Sequence, residues 1–507
     1  PSPYNHAEHT KESERMTTKN TPNLLFLFTD EQRYDTLSVY GNSRIEMPNL
    51  NRLAERSCVF DRAYVTQSLC TPSRSTLMTG LYPHTNGCRK NNIPLPPDTP
   101  CLPEMLPAGG YATGYHGKWH LGDEIFAQHG FEDWASIEDL YSKHYSEGRD
   151  PDAKSSYHHW LIERGRQPED GNVFNRGETA RMPEELSKPA YLAEEACRFL
   201  RANRDNPFVL CVNFLEPHMP FFGPRDDQYD PAEVTLPPNF DCPPTEDQPL
   251  KTRLIERHYR HVGADGLPLD SEADWRRLIA NYWGLCSLVD THVGTILSTL
   301  EDCGLDDNTI IVYTSDHGDM MGSHRLVAKG VMFEEAIRVP MMVRLPGQRD
   351  PRRIEGPVSQ VDVVPTLLDL MGVRPPEHLE GRSLRPELEG RRERTGRDVV
   401  VEWNEKESVI RGLRQGALPE HLQDVTNAEQ GLAAVSDEVR TLLSQDGWKL
   451  NVSPTLGEHE LYDLNVDPGE TTNLAGQGEH RPRMRRMLAS LRQWQQETND
   501  TVELPDF

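Results

Sequence analysis

The 507-residue chain sets 54 Lys and Arg against 80 Asp and Glu, a formal charge of −26. Neutralising nucleic-acid phosphates takes a basic face, so this balance excludes DNA and RNA as partners. The overall field repels large polyanions and leaves room only for a small anion met by local cations. The length exceeds one ordinary core, which predicts a large domain and a smaller one, and no apolar run nears the roughly 20 residues of a membrane helix, so no membrane partner is expected.

In chain order, residues 1–22 are polar and read as a disordered leader. They hold no apolar stretch of a secretory signal, which predicts a cytoplasmic protein, or a periplasmic one if a signal has been trimmed. A strand-length apolar run at 23–29 ends in Asp30-Glu31. Further strands are expected at 208–214, at 309–315 (ending in Asp316-His317) and at 339–345. Between the second and third, Leu278, Tyr282, Leu285, Val289, Val293, Ile296 and Leu300 recur at steps of three and four, the apolar face of a long helix. Residues 366–371 read as another helix, stopped by Gly372. This alternation predicts an α/β domain over 23–385, with a large mixed, mostly parallel sheet flanked by helices. Residues 386–507 read as a smaller C-terminal α+β subdomain, with Gly447-Trp448-Lys449-Leu450 and a last helix at 484–498. The stretches 124–182 and 222–270, rich in Pro, Asp, Glu and His, read as insertions that shape the mouth of a site.

Acids at the carboxyl ends of parallel strands stand where α/β sheets place their ligands. A lone Asp there is most often a cap. Two such ends, almost three hundred residues apart and each with a second potential ligand, instead point to a hard divalent ion. The nine cysteines are odd in number and lack the close pairs of a zinc site or disulfide scaffold, so they read as buried free thiols, with one exception.

That exception is Ser68-Leu69-Cys70-Thr71-Pro72-Ser73-Arg74-Ser75-Thr76-Leu77-Met78-Thr79-Gly80. Pro72 suits a first helical turn, which sets Cys70 at a helix N-terminus, where free N–H groups and the dipole favour an anion. The whole stretch resembles the sulfatase signature, in which Cys-x-Pro-Ser-Arg directs oxidation of the cysteine to formylglycine. Gly110-Tyr111-Ala112-Thr113-Gly114-Tyr115-His116-Gly117-Lys118-Trp119-His120 resembles the second sulfatase signature, with His116 where the family usually has a small apolar residue. Phe214-Leu215-Glu216-Pro217-His218-Met219-Pro220 is similar to the family's strand-end histidine motif. Lys329, with Glu334-Glu335 and Arg338-Val339-Pro340, is similar to its active-site lysine region, and Glu460-Leu461-Tyr462-Asp463-Leu464 to its C-terminal tail. The resemblance covers 23 to about 474.

It implies an alkaline-phosphatase-like fold and hydrolysis of aryl, small alkyl or sugar sulfates by formylglycine made from Cys70, with one divalent metal ion. Asp30, Glu31, Asp316, His317 and the modified Cys70 would hold that ion, Ca²⁺ first, with Mn²⁺ or Mg²⁺ as alternatives. Arg74 would brace the nucleophile and metal from behind. Lys118 and Lys329 would neutralise the sulfate oxygens, His218 would protonate the leaving alkoxide, and His120 would accept the diol proton. The implied partners are a small anionic sulfate ester and the formylglycine-generating machinery. The oligomeric state stays open, a homo-oligomer included. The Asp316-His317 pair favours a phosphonate monoester or phosphodiester hydrolase on the same scaffold, whereas Gly117-Lys118-Trp119-His120 favours the sulfatase. A non-catalytic sulfatase-like binding protein is the remaining alternative, and the intact nucleophile and ligand positions argue against it.

Overall fold

Strand β1 (Asn23–Asp30) shows why its sequence is apolar throughout rather than alternating. Leu24, Phe26 and Phe28 enter one apolar layer and Leu25 and Leu27 the other, so both faces of the strand are buried. The computed structural model describes residues 21–404 and 408–507; residues 1–20, most of the expected leader, lie outside them.

The strands that follow in the main sheet are β2 (Cys58–Tyr64), β3 (Ala112–Gly117), β4 (Asp133–Ala135), β5 (Phe208–Pro217), β6 (Thr309–Ser315), β7 (Arg338–Val339), β8 (Met341–Arg344) and β9 (Arg352–Ser359). Their order is β4-β3-β5-β1-β6-β8-β2-β7, with β9 beside β2. From β4 through β6 all neighbours are parallel. The single strand expected at 339–345 is two. Pro340 has no N–H for the ladder, and the chain breaks there into β7 and β8, both antiparallel to β2. Strand β2 was not expected, because Asp61 and Arg62 interrupt its apolar run; both lie half-buried.

Helices cover both faces. On the side of Leu25 and Leu27 lie α2 (Lys188–Ala202) and α3 (Glu272–Asp302); on the other lie α1 (Cys70–Thr79) and α4 (Val363–Leu370). Helix α3 starts at a capping box between Ser271 and Asp274 and buries all seven apolar positions read from its spacing. A second, antiparallel sheet of β10 (Val399–Glu402), β11 (Arg440–Leu443), β12 (Trp448–Val452) and β13 (Glu460–Asp463) packs under α5 (Arg481–Thr498). Leu442, Leu450, Val452 and Leu461 meet Met484, Leu488, Leu491 and Trp494 there, and Tyr82 and Val361 join the same cluster from the main body. All nine cysteines are free thiols, seven of them buried. Among the described residues no helix is long and apolar enough to cross a membrane.

Candidate active site

Strands β3, β5, β1 and β6 are adjacent and parallel, so their carboxyl ends form one row. The residues at or just past those ends are Lys118, His218, Asp30-Glu31 and Asp316-His317. Topology alone thus gathers side chains from four distant parts of the chain. At Gly117 the chain turns at φ +125°, and a Cβ there would lie 1.9 Å from the Asn213 carbonyl oxygen, so only glycine lets β3 deliver Lys118 to the row. Helix α1 begins at Cys70 and points its first turn at the same place.

Arg74, one turn into α1, organises the centre. Its Nε donates to Asp316 Oδ2 at 2.8 Å and one Nη to Asp30 Oδ2 at 2.8 Å, while the other Nη serves the Lys118 carbonyl and Asn213 Oδ1. Each acid thereby gives Arg74 one oxygen and turns Oδ1 toward Cys70 and His317, the Asp316 Oδ1 also accepting the Glu31 and His317 backbone N–H groups at 3.1 and 2.8 Å. The His317 ring places Nδ1 2.9 Å from the Gly318 carbonyl, an acceptor only, so the proton sits on Nδ1 and Nε2 keeps its lone pair. That Nε2 lies 3.2 Å from Cys70 Sγ, 3.8 Å from Asp30 Oδ1 and 3.7 Å from Asp316 Oδ1. Ligand atoms of Asp30, Cys70, Asp316 and His317 all fall within 4.8 Å of one another, and all four residues are buried. The donor set suits a divalent cation.

Glu31, expected among the ligands, sits with Asp30 and His218 in an overlapping cluster. Its Oε2 accepts from Lys329 Nζ at 2.6 Å, and its Oε1 is buried with no hydrogen-bond partner. An orphaned carboxylate oxygen beside this cluster fits a cation as its missing partner.

A family model for sulfatases matches residues 22–373. The chain belongs to the sulfatase family. The chain is 28% identical over 393 residues to an ulvan-active sulfatase of Formosa agariphila, a match spanning 74% of this chain and 66% of that one. It is 26% identical to an N-acetylglucosamine-6-O-sulfatase of Bacteroides thetaiotaomicron, over 94% of this chain and 87% of that one. Among solved structures, a phosphonate monoester hydrolase of Silicibacter pomeroyi has the same fold, with a TM-score of 0.76 at 23% identity over 95% and 96% of the two chains.

In this sulfatase the expected cations are not free. Lys118 Nζ reaches Asp30 Oδ2 at 2.5 Å, and Lys329 lies between Glu31 and His218 Nε2, 3.2 Å from the latter. Burial would raise the Asp30 carboxyl, but the Lys118 ammonium and the Arg74 guanidinium beside it hold it well below the usual carboxylate range. Burial pushes the Cys70 thiol up, and Asp30 adds to this, so the unmodified cysteine is a poor nucleophile. Burial, with Lys329 for one and Lys118 for the other, keeps both His218 and His120 neutral by lowering their pKa well below the ordinary value. His218 Nδ1–H donates to the Met219 carbonyl at 2.6 Å, so its Nε2 accepts from Lys329. His120 stands at φ +60°, its backbone N–H and that of Trp119 both held by Glu124, whose carboxyl burial lifts to about 7.

The sequence reading missed several residues that build this sulfatase site. Asn213, which fixes Arg74, is an amide inside the otherwise apolar run of β5, and that anomaly was its signal. Ser73 and Gln360 hold the Asp316 carbonyl. From the 124–182 insertion, Tyr141 packs on the His120 ring at 4.7 Å between centroids and accepts from Arg176 at 2.8 Å. Ser73 lies inside the Cys70 signature and Tyr141 is an aromatic of the insertion read as shaping the mouth of the site, whereas Gln360 and Arg176 had no local signal. His116, the departure from the signature, bonds Asp133 of the edge strand β4 and takes no part in the site.

Proposed function

We propose that this sulfatase hydrolyses sulfate monoesters of small alcohols, sugars foremost, with position 70 as formylglycine and one divalent ion held by Asp30, Asp316 and His317, with Glu31 beside them. The observation that carries the reading is the pairing of Arg74 with one oxygen of each acid, which leaves the opposite oxygens and the His317 lone pair facing Cys70. The sugar preference rests on the two named relatives, one ulvan-active and one acting on N-acetylglucosamine 6-sulfate. Ca²⁺ is the proposed ion, and Mn²⁺ is the competitor that the imidazole nitrogen would favour.

When both are in place, the modified residue supplies a geminal diol and the ion makes its hydroxyl more acidic; one hydroxyl serves as nucleophile and the other later expels sulfate. The chain's own groups do the rest. Lys118 and Lys329 exchange part of their pairing with Asp30 and Glu31 for the sulfate oxygens, where charge grows as the ester bond breaks. The proton for the departing oxygen comes through His218 Nε2. That atom is unprotonated at rest and is fed by the Lys329 ammonium 3.2 Å away. His120 accepts the diol proton, its ring held by Tyr141 and by Asn92 Oδ1 at 3.1 Å.

Peptide mass spectrometry at position 70, with a panel of sugar, choline and aryl sulfates beside a phenyl phosphonate, tests the reading. Formylglycine or its hydrate is expected, with sulfate esters the better substrates. Full activity from protein holding only the thiol would contradict the mechanism. A higher kcat/KM on the phosphonate would favour the second reading, a phosphonate monoester hydrolase, which His317 in the ligand cluster and the fold likeness to such an enzyme support.

A further inference from the structure

Arg176 is charged, half-buried and not fully used. Its Nε and Nη2 close on both oxygens of Glu138 at 2.5 and 2.6 Å, and Nη2 also reaches the Tyr141 hydroxyl. Its Nη1 makes no hydrogen bond among the described residues, and the side chain stays 24% exposed. Glu138 is also the partner of the buried Lys188 at 3.2 Å. Two cations therefore share one carboxylate, and one positive charge is left over.

That surplus lies beside the reacting centre. Arg176 and Lys188 line one narrow cleft with His218 and Glu216, and through Tyr141 the guanidinium is one contact from the His120 ring. Glu216, whose carboxyl burial lifts to about 7, cancels only part of that surplus near neutrality. The cleft is on the His218 side, where the alcohol departs. A neutral alcohol gives the open N–H groups of Nη1 no charged acceptor, and a half-buried cation facing an apolar or neutral group gives up solvation without recompense.

We propose that Arg176 is a specificity residue for a second anionic group on the alcohol, so that the substrate class is a small sulfate ester carrying a further sulfate or carboxylate, such as a doubly charged monosaccharide. The proposal rests on the sulfatase reading above. A small substrate also agrees with the net charge of −26, which repels a long polyanion at a distance while the local cleft attracts a short one.

The test compares N-acetylglucosamine 6-O-sulfate with glucosamine 2-N,6-O-disulfate, in which the same ester is cleaved with a neutral or an anionic group at C2, and uses 4-nitrophenyl sulfate as reference. The parent enzyme, shown to carry formylglycine, should prefer the disulfate in kcat/KM. Arg176→Ala should lose roughly 10- to 100-fold on the disulfate, the range for a charge-assisted hydrogen bond, and far less on the other two. Arg176→Lys, which keeps a cation beside Glu138, should lose less of the preference, and melting curves show whether each variant is folded. Tyr141→Phe should leave the preference intact. Equal losses on all three substrates would mean that Arg176 only props His120 through Tyr141, and would overturn the proposal. So would a parent enzyme without charge preference. Failure of formylglycine-bearing protein to cleave any sulfate ester would instead overturn the sulfatase reading, and the proposal with it.

Discussion

Arg74 in the active centre and Arg440 in the C-terminal sheet are both almost fully buried, and both engage all three guanidinium nitrogens, yet they do opposite things. Arg440 hydrogen-bonds one acid, with Glu402 an ion-pair neighbour at 3.9 Å. Its Nε and Nη2 take both oxygens of Asp500 at 3.0 and 2.8 Å, Gln495 shares one of those oxygens, and the remaining donors reach the Trp403 and Val439 carbonyls and Asn404. Arg74 divides itself between two acids, one oxygen each. The first arrangement engages both oxygens of Asp500 with a single guanidinium. The second leaves two carboxylate oxygens aimed at a common point with an imidazole lone pair and Sγ. On the proposed reading, the way a carboxylate is shared, more than its burial, separates a structural ion pair from a cation site.

The largest expected effect comes from breaking each arrangement at its acid. Asp30→Asn or Asp316→Asn should cut activity to background and remove the bound ion. Asp500→Asn should instead lower unfolding free energy by about 3–5 kcal/mol, the usual cost of stranding a buried charge, with activity per folded molecule unchanged. Metal analysis, kinetics on the folded fraction and denaturant melts read the three variants together. Loss of activity without loss of stability at Asp500 would erase the contrast.

Next in size is the proton donor. His218→Ala should cost up to about 10²–10⁴-fold on an alkyl or sugar sulfate, whose alkoxide needs the proton, and little on a nitrophenyl sulfate. Lys329→Met should show the same dependence if the ammonium feeds Nε2. A parallel loss across leaving groups would assign His218 a purely structural role.

Chelation should have a moderate effect. Binding at a hundredfold excess over Kd is worth about 2.7 kcal/mol, so the parent should melt lower after chelation while Asp316→Asn should not respond. Removing the ion leaves Asp30 and Asp316 close together, bridged by Arg74, with Lys118 on Asp30 and the His317 ring beside both.

The smallest effect belongs to the seam joining the C-terminal sheet to the main body. His84 places Nδ1 2.7 Å from Glu402 and Nε2 3.1 Å from the Thr498 carbonyl, with Arg440, Asp500 and Glu380 as its charged surroundings. Burial would lower the pKa of this histidine, but the Glu402 bond and charge raise it above the ordinary value. The folded state therefore holds the proton more tightly than the unfolded chain. This stabilisation is complete below about pH 6.5 and fades as pH rises through the raised folded value. Melts of His84→Gln against pH should lack that slope, and an unchanged slope would place its origin elsewhere.

The strand-end acids and the cysteine motif were legible in the sequence because they combine a periodic apolar run with residues out of keeping with it. Asp30 and Asp316 end apolar runs, and Cys70 sits beside Pro72 and Arg74. The sharing of Arg74 was not legible, because it depends on strands β1 and β6 lying side by side with Thr29 opposite Ser315. The Arg176–Glu138–Lys188 group was hidden for a similar reason: its members are spread over an irregular stretch with no period to link them. Strand β2 was not among the expected strands, because Asp61-Arg62 interrupts its apolar run and only the folded sheet leaves both half-buried.

The central claim is that position 70 attacks sulfur and that its second hydroxyl is what frees the enzyme. Cys70→Ser keeps one hydroxyl and removes the second. Mixed with an aryl sulfate, it should release one equivalent of alcohol per chain, stop, and show by intact mass one sulfuryl group retained on the protein. Steady turnover of Cys70→Ser at the parent rate, with no retained sulfuryl group, would contradict the account.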